Sequence, residues 1–311
     1  MATAHTATLR RFNRTYTQRV GALDDSFLGL GWPLGASRLI FEIGDGATSV
    51  LELRERLDLD SGYLSRLLRR LTRAGVVDVR PDPADRRRRL VSLTAEGRKV
   101  RRELDRRSEQ QAAALMEPLT ERQRDRLTEA LATADLLVRA ATVRLRQVRP
   151  EDPVAVAATG RYFAELDARF PGGFDSGGAL DHDAVAMAPP DGAFVVATSD
   201  GEPVACGGVQ ALGGGTAEVK RMWVHPDWRG AGLGSRMLRH LEDRARDLGH
   251  RRVVLDTNAT LVEAIEMYRK AGYQPVERYN ENPYAQAWFA KPLRRLSAKG
   301  SGVSTDSTSG R

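Results

Sequence analysis

Leu64, Leu67, Leu68 and Leu71 recur at the i, i+3, i+4, i+7 spacing of one helical face, and Arg66, Arg69, Arg70 and Arg73 fall on the other. A helix is therefore predicted from Ser61, read as its N-cap, to Gly75, which stops it. The same period predicts helices over 8–30 (Leu9, Phe12, Tyr16, Val20, Leu23), 35–43, 48–57 with Thr48 as cap, 94 to about 115 and 121–145. Between Gly75 and Thr94 the pattern shortens to two strands, 76–80 and 89–93, around a hairpin tip at 81–88.

The second half alternates differently. A possible short strand precedes a helix over 155–169, and a glycine-rich loop follows at 171–178. Strands are predicted at 193–197, 204–211, 217–224, 253–256, 273–276 and 284–291, with helices at 234–248 and 261–271. The Pro-flanked stretch 146–153 reads as a domain boundary, and the Ser/Gly/Thr-rich segment 297–311 as a disordered tail. These readings give domains at 5–146 and 148–295.

Composition changes the picture in one respect. A 311-residue chain with 41% hydrophobic residues can bury two ordinary cores. Its charge is uneven, however: residues 1–146 hold 28 Lys/Arg against 20 Asp/Glu, and residues 147–311 hold 20 against 21. Within 61–107 the balance is 15 against 6, nearly all arginine, which points to a polyanion partner for the first half only. A solvated, arginine-biased face is the plainer alternative. No apolar run has the length of a membrane span, and the opening residues do not read as a signal peptide. Cys206 is the single cysteine, so neither an intrachain disulfide nor a cysteine metal cluster is expected; His225 and His240 lack partners at metal-ligand spacing, and no metal is expected. A cytoplasmic location fits.

The chemistry concentrates between Ala217 and Ser235. A strand ending in Met222, Trp223 and Val224 leads through His225-Pro226 to Arg229, Gly230, Ala231, Gly232, Leu233, Gly234 and Ser235, which open a helix. Glycines free the backbone N–H groups to converge, and the helix N-terminus adds partial positive charge, so the loop suits a phosphate or pyrophosphate. A dinucleotide fold is one reading, since Asp256 lies about 20 residues beyond Gly234.

The residues around the loop favour another. With Arg229, Gly232 and Gly234 after Met222-Trp223-Val224, and with Ala264, Tyr268, Gly272 and Tyr273 downstream, the second half resembles the GNAT acetyltransferases over about 148–293. The resemblance implies acetyl-CoA as acyl donor. Its pyrophosphate would lie on Arg229 to Ser235, its pantetheine arm along Met222, Trp223 and Val224, and its thioester oxygen on a backbone N–H near Trp223 or Val224. It also implies Tyr268 as the acid for the departing thiolate and Glu218 as the base, as in histone-acetylating relatives. Glu218 is equally readable as a partner of Lys220 or Arg221, or a brace within the sheet. Asn258 is a candidate hydrogen-bond partner of the cofactor. The acceptor cleft is expected from 162–166, Arg169, Phe170, Phe174, Asp175, Tyr279, Asn280 and 282–284, which suit a small primary amine; the phenylalanines are as readily core.

The first half resembles the MarR regulators over about 5–146. Three short helices before a two-stranded wing make a winged helix-turn-helix plan, and the resemblance rests on Ser65-Arg66-Leu67 to Leu71, Ala74 to Val77, Asp85-Arg86-Arg87, Leu90 to Thr94 and Gly97. It implies double-stranded DNA as partner, met by Ser61, Tyr63, Ser65, Arg66, Arg69 and Arg70 on the helix and by Arg86, Arg87 and Arg88 on the wing, with Asp85 bracing the hairpin by pairing with arginine. It also implies a homodimer through the terminal helices. The expected fold is thus multidomain: a mostly α winged helix-turn-helix domain, then an α+β GNAT (acyl-CoA N-acyltransferase) domain. The expected function is a DNA-binding transcriptional regulator that also acetylates a small amine. Alternatives are a regulator whose second domain only senses acetyl-CoA or an amine, and an enzyme whose winged helix only dimerises it.

Overall fold

The computed structural model describes residues 2–177, 185–199 and 201–293. The segment read as a disordered tail, 297–311, lies outside the described residues. The chain divides into two compact units, Met1–Leu131 and Ala132–Arg311.

In the first unit, α1 spans Ala2–Arg19, α2 Leu34–Ile43, α3 Val50–Leu57 and α4 Ser61–Arg73. A three-stranded sheet orders β1 (Thr48–Ser49), β3 (Arg89–Leu93) and β2 (Val77–Pro81). Then follow α5 (Ala95–Met116) and α6 (Glu121–Thr142), within which the division between units falls. The expected 8–30 helix starts earlier and stops at Arg19, because Gly21 takes a left-handed φ of 63°. Two expected caps also move. Thr48 joins β1 opposite Val91, and Asp60 rather than Ser61 caps α4, its carboxylate accepting from Tyr63 N–H at 2.9 Å. Thr94 caps α5, accepting from Gly97 N–H at 3.0 Å. Gly97 is buried, and a Cβ there would run into the Val76 carbonyl, so only glycine lets α5 lie this close to the hairpin. The core is Leu39, Ile40, Leu53, Leu64, Leu71 and Val91 with their neighbours.

The second unit is built on a seven-stranded sheet ordered β4-β5-β6-β7-β8-β10-β9. The strands are β4 (Leu145–Val148), β5 (Ala193–Ser199), β6 (Glu202–Gly213), β7 (Thr216–Val224), β8 (Arg252–Thr257), β9 (Gln274–Pro275) and β10 (Ala287–Pro292). The stretch read as a boundary, 146–153, holds most of β4 and the turn into α7 (Pro153–Arg169). Helices α8 (Leu233–Asp247) and α9 (Val262–Lys270) complete the unit. Leu233, Met237, Leu238 and Leu241 bury one face of α8 against Val209, Val219 and Leu255. Gly207 makes room for this, since a Cβ there would lie 2.6 Å from Leu241.

Two features of β7 create the site. All neighbouring strands are antiparallel except β7 and β8, which run parallel and pair only from Thr216 to Glu218. Beyond Glu218 the two strands part. A bulge at Arg221, with φ 54°, sets Arg221 and Met222 opposite the single residue Gly207 and turns β7 away from β8.

Candidate functional site

Two cavities open where β7 and β8 separate. The first, about 550 Å³, runs from Met222, Trp223 and Val224 to the loop Arg229–Ser235 and the first turns of α9. The second, about 380 Å³, lies against Phe170, Phe174, Asp256 and Tyr284. Tyr162, Leu166, Met222, Leu261, Ala264 and Tyr268 line both, so the cavities meet at these residues. Each volume is in the range of small-molecule sites.

The loop has the form that an anion needs. Gly230 and Gly232 take left-handed φ values of 79° and 80°, and Gly232 is the N-cap of α8. Among the described residues, the backbone N–H groups from Gly230 to Ser235 donate to no protein acceptor. They stand free at the positive end of a fifteen-residue helix. Gly234 is pressed close, a Cβ there lying 3.1 Å from Met267 Sδ. On β7, His225 N–H donates to Val204 in β6. By strand alternation the backbone groups of Met222 and Val224 therefore face the opening, as an added peptide-like arm requires. These groups fit an acyl-CoA.

Arg229 is already engaged. Its guanidinium donates to both Glu165 oxygens at 2.5 and 2.6 Å and to the Val224 carbonyl at 3.0 Å. Glu165 accepts also from Trp223 Nε1 at 2.8 Å and Arg169 at 3.2 Å. Burial alone would raise the Glu165 pKa; the hydrogen bonds from Arg229 and Trp223 outweigh it and hold the carboxyl below its ordinary 4.5. Glu165 was expected in the acceptor cleft and lines the first cavity instead.

Tyr268 lies on α9 one turn after Ala264, buried among Tyr273 and Phe289. Its hydroxyl has no hydrogen-bond partner among the described residues. Burial, reinforced by Tyr162 and Asp256, pushes its pKa well above the usual tyrosine value, so it stays a proton donor.

Glu218 sits elsewhere. It is 2% exposed and lines neither cavity. Its oxygens accept from Gln210 at 2.7 Å, Tyr279 at 2.9 Å, Asn280 at 3.1 Å and Lys220 at 3.4 Å. Burial, with the charges of Glu218 and Asp256, raises Tyr279 far enough to keep it a donor. Among the readings of Glu218, both the pairing with Lys220 and the brace within the sheet are present. Asn258 lines the second cavity, not the first. Its amide donates to the Tyr284 carbonyl at 2.8 Å and its oxygen accepts from Thr260, so it fixes the aromatic wall.

On the first unit, Ser61, Tyr63, Ser65, Arg66, Arg69 and Arg70 are exposed along α4. Three have further engagements. Arg70 lies over the Trp32 ring, 5.6 Å from its centroid, and a Cβ at Gly35 would meet the Tyr63 hydroxyl. Arg66 stacks over Tyr63 at 5.9 Å. At the wing tip Arg86 and Arg87 form no ion pair among the described residues, whereas Arg88 pairs with Glu52 at 3.5 Å. Asp85 braces the tip by accepting from Arg87 backbone N–H at 3.0 Å, not by the arginine pairing the resemblance implied. Among the described residues no group of His, Cys, Asp or Glu is placed to hold a metal ion, and no helix is long and apolar enough to cross a membrane.

Comparisons with known proteins match both halves. A sequence model of the acetyltransferase (GNAT) family matches residues 161–273, and one of the MarR family matches residues 28–88. The IAA acetyltransferase of Azospirillum brasilense is 38% identical over 111 residues, covering 34% of this chain and 72% of that protein. An uncharacterized N-acetyltransferase of Schizosaccharomyces pombe is 36% identical over 97 residues, covering 30% of this chain and 60% of that protein. Apo MarR from Escherichia coli is similar at 24% identity, over 40% of this chain and 93% of that one, with a TM-score of 0.37. The chain belongs to the GNAT acetyltransferase family, and residues 28–88, ahead of the acetyltransferase domain, match the model of the MarR family.

Proposed function

We propose that the chain is a DNA-binding transcriptional regulator that also transfers an acetyl group from acetyl-CoA to a small primary amine. The observation that carries the enzymatic part is the run of free N–H groups from Gly230 to Ser235, in one cavity with the open edge of β7 and continuous with a second cavity at Tyr268. In this reading the loop binds the pyrophosphate, Met222 and Val224 hold the pantetheine arm, and an N–H of β7 polarises the thioester carbonyl. Tyr268 donates its proton to the leaving sulfur. The first unit carries the DNA-binding activity and the second the acetyl transfer.

DNA binding is supported by the exposed arginines of α4 and the unpaired Arg86 and Arg87 of the wing. A homodimer is supported by α1, where Leu9, Phe12 and Tyr16 are exposed on one face, and by the exposed Leu131, Leu137 and Val138 of α6. A cytoplasmic location suits both partners. One observation favours the sensor reading: Glu218, the base expected by resemblance, is fully engaged away from the cavities. Calorimetric titration of the full chain with acetyl-CoA, followed by an amine-acetylation assay, tests the proposal. Binding at one site per chain with CoA release is expected. Binding without release on any amine favours the sensor, and no binding overturns both.

A further inference from the structure

The second cavity has its own chemistry. Asp256, near the end of β8, lines it. Asp256 Oδ2 accepts from Asn280 at 2.6 Å and Asn282 at 3.1 Å, whereas Oδ1 accepts from no side chain among the described residues. Asn280 is locked in turn: the same amide nitrogen donates to Glu218, and its oxygen accepts from Trp288 Nε1 at 3.0 Å. The Glu218 network thus fixes Asp256 with one oxygen open beside the cavity.

Part of the same lining is aromatic. Phe174 and Tyr284 have centroids 4.9 Å apart, and Phe170 stacks on Tyr284 at 5.8 Å and 24°. The Tyr284 hydroxyl accepts from Asp175 N–H at 2.9 Å and its carbonyl from Asn258, so the ring is held at both ends. Lys220 and Arg221 also line this cavity, but Lys220 is given to Glu218 and Arg221 lies over the Phe163 ring. The open carboxylate, the aromatic side chains and Tyr268 where the cavities join suit a ligand with a cationic head and a flat apolar body.

We infer that the acceptor is an arylalkyl primary amine, its ammonium received and deprotonated by Asp256 and its ring held against Phe174 and Tyr284. This rests on the acetyltransferase reading above and names the acceptor for it. Asp256 takes one proton from the ammonium. The freed nitrogen pair forms the C–N bond at the thioester carbonyl, and the C–S bond breaks with its electrons going to sulfur. Tyr268 gives its proton to that sulfur and recovers one from the new amide nitrogen through water. Asp256 releases its proton to solvent, leaving amide, thiol and one proton.

The test uses the full chain, acetyl-CoA and two amines of similar apolar surface, 2-phenylethylamine and n-hexylamine. A preference of about fivefold in kcat/KM for the aryl amine is expected from ring-on-ring packing. Asp256→Asn should lower kcat/KM for 2-phenylethylamine by about a hundredfold with the Kd for acetyl-CoA unchanged, which shows that the variant is folded. Phe174→Leu should remove the preference and spare acetyl-CoA binding. Equal use of both amines, or an Asp256→Asn enzyme within threefold of wild type, overturns the inference while the acetyltransferase reading stands. Failure of the wild-type chain to bind acetyl-CoA overturns both.

Discussion

The ion pair between Arg229 and Glu165 makes a quantitative prediction about the donor site. Arg229 opens the loop proposed to bind the pyrophosphate, yet its guanidinium is given to a carboxylate in the same cavity. A diphosphate arriving at Gly230–Ser235 must draw Arg229 from Glu165 and tolerate the negative charge left behind. Glu165→Gln removes that charge but keeps an acceptor for Trp223. A charge-assisted hydrogen bond contributes about 1.5–3 kcal/mol. The Arg229 side chain is 37% exposed and that of Glu165 18%, so solvent screening reduces the figure to about 1 kcal/mol. The variant should therefore bind acetyl-CoA about fivefold more tightly.

Isothermal titration of both proteins with acetyl-CoA at low and high salt measures this, and the gap should narrow as salt rises. The pH dependence is also fixed. The folded pKa of Glu165 is depressed below 4.5, so its pairing is complete above the unfolded value and is lost as pH falls through the folded one. The difference between the proteins should be constant from pH 6 to 8 and vanish only in acid. Equal or weaker binding by Glu165→Gln would refute the competition and make Glu165 a support that aims Arg229 at the donor.

Three further outcomes follow from single features. Tyr268→Phe should cut kcat roughly tenfold to a hundredfold with acetyl-CoA affinity intact, because only the proton donor is lost; the raised pKa of Tyr268 means that the wild-type rate shows no loss of this acid between pH 7 and 9. Arg86→Ala with Arg87→Ala should weaken DNA binding and lower the slope of log K against log salt by roughly 2, whereas Arg88→Ala, starting from its pair with Glu52, should do less. Gly97→Ala should destabilise the first unit by roughly 2 kcal/mol, read as a fall in melting temperature, since its Cβ would run into the Val76 carbonyl backbone and crowd Leu93 Cβ at 3.3 Å.

Local signals were legible in the sequence and non-local ones were not. The leucine period of α4, the wing strands and the Arg229–Ser235 loop each depend on neighbours in the chain, and the structure keeps them. The missed caps are local too, but they were decided by geometry: Asp60 outcompetes Ser61 because its carboxylate reaches Tyr63 N–H, and Thr48 is taken by pairing with Val91. Glu218 is singled out by resemblance to the strand glutamate of histone-acetylating relatives. What its strand does at Arg221 was not readable, because a left-handed arginine has no sequence signature like that of glycine.

The bulge decides which carboxylate the site can use. With β7 and β8 paired only to Glu218, that side chain stays within the closed part of the sheet, where Gln210, Lys220, Tyr279 and Asn280 satisfy it. Asp256 comes two residues after Val254, the last partner of β7, and so falls in the part of β8 that has lost its neighbour. Asp256 is paired with Trp288 of β10 but has no β7 beside it, lines the second cavity, and is tied back to Glu218 by Asn280. The two acids are thus linked, the buried one bracing and the other lining the second cavity, where the inferred acceptor would lie. Sequence spacing places Asp256 at a dinucleotide-like distance from Gly234, but only the parting of the strands gives that aspartate something to do.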